Sequence, residues 1–266
     1  MKMTIIAILA FFSPLISSGQ VDLQQPFKDC HVEGSISIYD YKNRTWLFSD
    51  TADAEKEMLP ASTFKIINSC IALELDKVKD EHEVFRWDGV ERTFFGAEMN
   101  AWNKDTDLKN AYKNSTIWYY VELARRIGRK DYKRYLTACN YGNGDLSETG
   151  DDFWNYGAFA VSPVDQVAFL KAFYEEKLPF SSRTYRIVKK MMVSETTDNY
   201  ILRDKTGWTK KDGQDIAWWV GYVERKDNVY FFATRLTKKV TTDNPDFSGC
   251  RKKITKAILK KIKAIE

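Results

Sequence analysis

The hydrophobic pattern of this 266-residue chain changes period twice, and that limits the folds open to it. Apolar residues alternate through Ser35-Ile36-Ser37-Ile38-Tyr39 and, after a turn at Lys42-Asn43, through Thr45-Trp46-Leu47-Phe48, the mark of a β-hairpin. From about residue 60 to 192 the period is helical: Ile67, Ile71 and Leu75 lie four apart, and Val164, Val167, Leu170 and Phe173 continue at about three. Strand character returns at 216–223 and 229–234, on either side of Arg225-Lys226-Asp227-Asn228, and predicts a second hairpin. A basic helix over 248–262, with Ile254, Ala257, Ile258 and Ile262 on one face, closes the chain. Strands, a long helical insert, strands and a helix make an α/β protein of the α+β type. The expected form is an antiparallel sheet flanked by helices, with a mostly helical lobe. We expect one domain over 20–266, its sheet-containing part at 20–61 and 193–266 and its helical part at 62–192. The cleft between the lobes is the natural place for a site.

Local signals place some element ends. Ser162 as N-cap, Pro163 in the first turn and Asp165 three residues after the cap start one helix. Gly128 stops the helix over 118–127. Residues 1–19 read as an export leader: Lys2, the apolar run from Ile5 to Phe12, then Ser17-Ser18-Gly19. That run falls short of the roughly 20 residues a bilayer span needs. Export to the periplasm after cleavage is therefore expected, without stable membrane insertion. Cys30, Cys70, Cys139 and Cys250 then face an oxidising compartment, with three full pairings open. Cys70, inside a predicted helix, serves equally well as a small buried hydrophobe.

Composition excludes several function classes. With 44% hydrophobic and 29% charged residues, the chain can bury a core and is not disordered. Lys and Arg number 41 against 37 Asp and Glu, a dispersed excess of +4 that predicts no nucleic-acid partner. His31 and His82 are the only histidines, and no Cys/His cluster has zinc-ligand spacing, so no metal is expected. A catalytic base must then be a Lys, a carboxylate or a Tyr.

Pro60-Ala61-Ser62-Thr63-Phe64-Lys65 supplies one. At a helix start, Ser62 and Lys65 share a face, with Cβ atoms about 5–6 Å apart. Free N–H groups and the positive dipole end there stabilise an oxyanion. A neutral or modified amine nearby can take the serine proton. Three further elements follow in order: Ser115-Thr116-Ile117 opening a helix, Tyr141-Gly142-Asn143 with Phe153-Trp154, and Lys205-Thr206-Gly207 on a strand edge.

With this set the chain resembles the class D β-lactamases, the oxacillinase family of penicillin-recognising serine hydrolases, from about residue 34 onward. The resemblance implies a serine β-lactamase/transpeptidase-like fold and hydrolysis of penicillins through an acyl-enzyme on Ser62. Lys65 would be N-carboxylated by CO2, which is the one co-reactant needed beside β-lactam and water, and would act as general base. Trp154 would hold that carboxyl group through its indole N–H. Ser115 and Lys205 would relay a proton to the leaving nitrogen. Lys205, Thr206, Gly207 and Arg251 would face the substrate carboxylate, and the backbone N–H groups of Ser62 and Trp208 would form the oxyanion hole. Tyr141-Gly142-Asn143 would shape the cleft wall.

Two positions depart from the family pattern: Ile117 stands beside the pocket where valine is usual, and Trp118 where proline is common. Both bear on substrate profile more than on reaction class. The connection over 208–217 would border the cleft. The alternatives are a β-lactam sensor domain and a penicillin-binding transpeptidase or carboxypeptidase, which acylate without efficient turnover.

Overall fold

A computed structural model describes residues 22–266; the expected leader lies outside them. The chain begins with α1 (Gln25–Asp29), β1 (Glu33–Asp40), β2 (Thr45–Phe48) and α2 (Thr51–Ala54). It then enters the helical lobe: α3 (Lys65–Glu74), the two-residue strands β3 (Val84–Phe85), β4 (Thr93–Phe94), β5 (Ala97–Glu98) and β6 (Thr106–Asp107), α4 (Leu108–Asn114), α5 (Ile117–Ile127) and α6 (Arg129–Ala138). After a long irregular stretch come α7 (Pro163–Tyr174), α8 (Ser182–Met191), β7 (Val193–Thr196), β8 (Tyr200–Lys211), β9 (Gln214–Arg225), β10 (Val229–Lys239) and α9 (Phe247–Lys261).

Six strands form one sheet in the order β2-β1-β10-β9-β8-β7, with every neighbouring pair antiparallel. Both faces are covered. Trp219 and Phe232 point to the face where α1 and α9 pack through Phe27, Ile254 and Ile258. Trp218 and Phe231 point to the other, where α7 and the helical lobe bury Phe64, Val167 and Phe173. Period-2 alternation thus becomes a continuous apolar run in β9, because each side of the strand meets a core. Both expected hairpins form, as does the capping box at Ser162.

Three details differ from the sequence reading. The 60–192 stretch is not continuously helical. Two small ladders, β3 with β6 and β4 with β5, interrupt it, and turn formers such as Asn140, Gly142, Asn143 and Gly144 leave much of 139–161 irregular. The connection over 208–217 is mostly strand: β8 and β9 pair as far as Lys211 with Gln214, so the loop is Asp212-Gly213 alone. Both residues have positive φ, 51° and 74°, as a tight Asp-Gly hairpin turn requires. None of the three full cysteine pairings forms: Cys30–Cys250 alone is bonded and ties the end of α1 to α9, while Cys70 and Cys139 are free thiols buried in the core.

Candidate active site

Ser62 lies in a 3₁₀ turn, Ala61–Phe64, that runs directly into α3. Side chains three apart eclipse one another in such a turn. Lys65 Nζ accordingly donates to Ser62 Oγ at 2.9 Å.

The turn is fixed from three sides. Ala61 donates its N–H to the Trp154 carbonyl at 3.0 Å. Thr63 Oγ1 donates to the Pro60 carbonyl at 2.7 Å and accepts from Gln166 Nε2 at 2.8 Å, while Gln166 Oε1 accepts from the Tyr141 hydroxyl at 3.1 Å. Tyr141 therefore braces the nucleophile turn from behind. On the third side β8 passes so close that a Cβ on Gly207 would lie 2.9 Å from the Pro60 oxygen and 3.2 Å from the Ser62 nitrogen. Only glycine permits that approach.

Lys65 is fully buried, its Nζ 4.9 Å from the centre of the Tyr120 ring. Burial disfavours the ammonium and lowers its pKa to about 8, against the pull of the Asp152 carboxylate. Asp152 is itself raised to about 7 by burial, partly offset by Lys65 and by a 2.8 Å hydrogen bond from Asn155 Nδ2. The indole of Trp154 stacks on Phe64 with ring centres 5.1 Å apart, and its N–H is buried with no acceptor among the described residues. An orphaned buried donor costs about 1–3 kcal/mol. A buried amine whose neutral form is favoured by burial, together with an unsatisfied buried donor, fits a carboxyl group carried on Lys65.

Ser115 does not open a helix. It closes α4 in the left-handed region (φ 54°), and α5 begins at Ile117 with Thr116 as N-cap. That bend turns Ser115 Oγ to Lys205 Nζ, which donates to it at 2.6 Å and to the Thr206 carbonyl at 3.0 Å. Burial pushes the Lys205 pKa well down, and the charge of Lys65 adds to the shift. Arg251, early in α9, donates from Nη1 to the Gly207 carbonyl at 2.7 Å. Its Nε is buried without a partner among the described residues, and burial lowers its pKa to about 10.

Ser62, Ser115, Ile117, Thr206, Gly207, Trp208 and Arg251 line one cavity of about 110 Å³. Lys65 and Lys205 hydrogen-bond its two serines. Trp154 holds the turn that carries Ser62, while Trp118 lines a separate groove and Tyr141, Gly142 and Asn143 do not line the cavity: Tyr141 is buried behind the turn, and Asn143 bonds the Ala158 and Ala160 backbone instead. A larger groove of about 810 Å³ begins beyond Trp102 and Ile117 and contains neither serine nor either lysine. The sequence reading missed Asp152, whose signal was its place two residues before Trp154. It also missed Phe94, Met99, Trp102 and Asn114, which complete the cavity wall without a motif to mark them.

Two Ser–Lys pairs around one cavity, with an Arg at its rim, can form and resolve an ester on Ser62 while holding an anionic substrate. Comparison with known proteins agrees with that chemistry. Residues 34–262 match the penicillin binding protein transpeptidase domain. Beta-lactamase OXA-48 of Klebsiella pneumoniae is 40% identical over 239 residues, covering 90% of this chain and 87% of that protein. The probable beta-lactamase YbxI of Bacillus subtilis is 37% identical over 248 residues, covering 92% and 86%. Among solved structures, a class D beta-lactamase from Sebaldella termitidis superposes with a TM-score of 0.88 at 42% identity, covering 93% of this chain and 98% of its own.

Proposed function

The chain belongs to the class D β-lactamases, within the penicillin-binding transpeptidase-domain family, and on that premise we propose how its residues divide the work of opening and releasing a β-lactam. The observation that carries the proposal is the buried 2.9 Å contact between Lys65 Nζ and Ser62 Oγ.

Ser62 Oγ attacks the lactam carbonyl carbon as its proton leaves toward the Lys65 side chain. The oxygen that gains charge is held by the backbone N–H groups of Ser62 and Trp208. The C–N bond then breaks, and the ring nitrogen takes a proton from Ser115 Oγ. Lys205, already donating to that oxygen, stabilises the charge left on it until the proton taken from Ser62 passes from the Lys65 side to Ser115 Oγ and restores its hydroxyl. The product of this stage is an ester on Ser62. Water then attacks the ester carbonyl as it gives a proton to the Lys65 side, Ser62 Oγ leaves with that proton, and the open-ring acid departs. When Lys65 carries a carboxyl group taken up from CO2, that group supplies the base for both proton transfers. Trp154 would hold it, its N–H otherwise having no acceptor. Arg251, Thr206 and Lys205 receive the substrate carboxylate.

Penicillins of the oxacillin type are the proposed substrates. Export to the periplasm fits the apolar leader and the Cys30–Cys250 bond, and among the described residues no helix is long and apolar enough to cross a membrane.

The test is progress curves with benzylpenicillin in buffer stripped of CO2 and in buffer with bicarbonate. Biphasic curves that become linear on adding bicarbonate are expected. Equal linear rates in both, at pH 6, would leave Lys65 as an ordinary amine base. A single stoichiometric burst in both would mark a sensor or transpeptidase.

A further inference from the structure

We propose that a second cavity, beside Lys205 and distinct from the one that holds Ser62, binds a phosphate dianion, free or carried on a small organic ester, and that this anion competes with a substrate carboxylate for the Lys205 amine. The binding stands by itself; the competition rests on the β-lactamase reading above. The cavity measures about 460 Å³, within the roughly 300–1,000 Å³ of sites that take small molecules. Five lysines from four elements line it: Lys109 and Lys113 of α4, Lys190 of α8, Lys205 of β8 and Lys252 of α9. It shares Thr206 with the catalytic cavity but contains neither Ser62 nor Ser115.

The charges here do not balance. Asp204 is the one carboxylate of the lining, and its Oδ2 already accepts from the Ser194 hydroxyl. Lys109 and Lys113 stand four apart on one face of α4, a spacing at which like charges destabilise a helix. Neither forms an ion pair among the described residues, nor does Lys252, whose Nζ lies 5.5 Å from the centre of the Trp219 ring. Lys190 is paired, with Glu81 Oε1 at 2.9 Å. Burial and the charge of Lys65 hold the Lys205 pKa down, and Arg251 and Lys252 add to this against Asp204. The cavity therefore carries positive charge that the protein's own carboxylates leave uncompensated.

The type of cation says which anion fits. Arginine's planar fork matches a carboxylate, whereas an ammonium is a point charge whose donors turn toward oxygens from any direction. Among the described residues the lining holds lysines and no arginine. Ammonium groups converging from four elements suit a tetrahedral group with several charged oxygens. Met191, Met192 and Val193 give one wall an apolar surface for the organic part of an ester.

Lys205 joins the two cavities. Its ammonium has three donors, and Ser115 Oγ and the Thr206 carbonyl take two of them. The third serves a carboxylate from one cavity or a phosphate from the other. Two ligands that draw on one donor weaken each other's binding by the same factor.

The test is calorimetric titration of the enzyme with inorganic phosphate and with phenyl phosphate at low ionic strength. Saturable binding is expected. Tighter binding of phenyl phosphate assigns the apolar wall to an ester; equal affinities assign the site to free phosphate. Lys113→Gln and Lys252→Gln should each weaken binding about fivefold, the upper range for one exposed charge. Arg251→Ala, which alters the catalytic cavity, should leave it nearly unchanged. No saturable binding, or binding lost in Arg251→Ala and kept in both lysine variants, overturns the proposal. With benzylpenicillin as substrate, phosphate should raise KM without lowering kcat. The Lys113→Gln/Lys252→Gln double variant should blunt that rise while keeping near wild-type rates in phosphate-free buffer. A KM indifferent to phosphate, or raised equally in the double variant, overturns the competition. Enzyme that binds phosphate yet never hydrolyses penicillin would sink the β-lactamase reading and leave the phosphate site standing.

Discussion

Gly207 and Ser62 meet backbone to backbone: a Cβ on Gly207 would stand 3.2 Å from the Ser62 nitrogen and 2.9 Å from the Pro60 carbonyl oxygen. This contact seats the edge of β8 beside the nucleophile. Gly207→Ala should push the strand off by a few tenths of an ångström, carrying Thr206 and Trp208 with it. Because small misplacements of reacting groups cost up to about 100-fold, kcat/KM for benzylpenicillin should fall by about 10–100-fold. The melting temperature should change little. Steady-state kinetics beside thermal denaturation check this; an unaffected kcat/KM would mean the close approach is packing alone.

Ser115 offers a way to separate chemistry from backbone strain. Its φ of 54° is one that glycine adopts readily. Ser115→Gly should therefore keep or raise stability while removing the hydroxyl that accepts from Lys205. Loss of a positioned proton donor is worth about 10²–10⁴-fold, so acylation followed by stopped-flow should slow by that order. A variant acylated at the wild-type rate would remove Ser115 from the relay.

The acid limb of the pH profile should depend on Asp152. Burial lowers the Lys65 pKa to about 8, and the Asp152 carboxylate pulls it back upward. Only the neutral amine takes up CO2 or accepts a proton, so activity should fall as pH drops through this range. Asp152→Asn removes the anion, favours the neutral amine further and should move the acid limb of kcat/KM to lower pH. Profiles recorded with saturating bicarbonate check this. A limb that stays put or moves upward would show that Asp152 does not act on Lys65.

The Cys30–Cys250 bond closes a 220-residue separation and precedes Arg251 by one position. Loss of a native disulfide typically costs about 2–5 kcal/mol, so Cys30→Ser should lower the melting temperature by several degrees. It should also loosen the start of α9 and raise KM more than it lowers kcat, since Arg251 is a binding group. Chemical denaturation and kinetics check both halves.

How much of this was legible in the sequence follows from how local each signal is. The capping box at Ser162, the hairpin turn at 225–228 and the Ser62–Lys65 pair are set by neighbours within four residues, and their patterns gave them away. Lys205 and Arg251 were legible only through their motif positions, because the contacts that matter, with Ser115 and with Gly207, cross the chain. The extent of β8 and β9 was underestimated because Thr209-Lys210-Lys211 is polar. It is strand nonetheless, as Lys210 pairs with Asp215 and Thr209 Oγ1 is anchored to the Asn155 carbonyl at 2.8 Å. Asp152 stayed hidden because its one signal, its place two residues before Trp154, does not mark a carboxylate as buried. The disulfide was not legible because Cys30 and Cys250 meet only when α1 and α9 come together on one face of the sheet.

The central claim is that Ser62 carries the substrate as a short-lived ester, and time-resolved intact-mass spectrometry with benzylpenicillin tests it most directly. The account predicts a single adduct of penicillin mass that maps to Ser62 and vanishes as the penicillin is consumed. It should be absent from Ser62→Ala and should persist in Lys65→Ala wherever it forms. An adduct on Ser62→Ala, or a wild-type adduct that remains while no hydrolysed product appears, would contradict it.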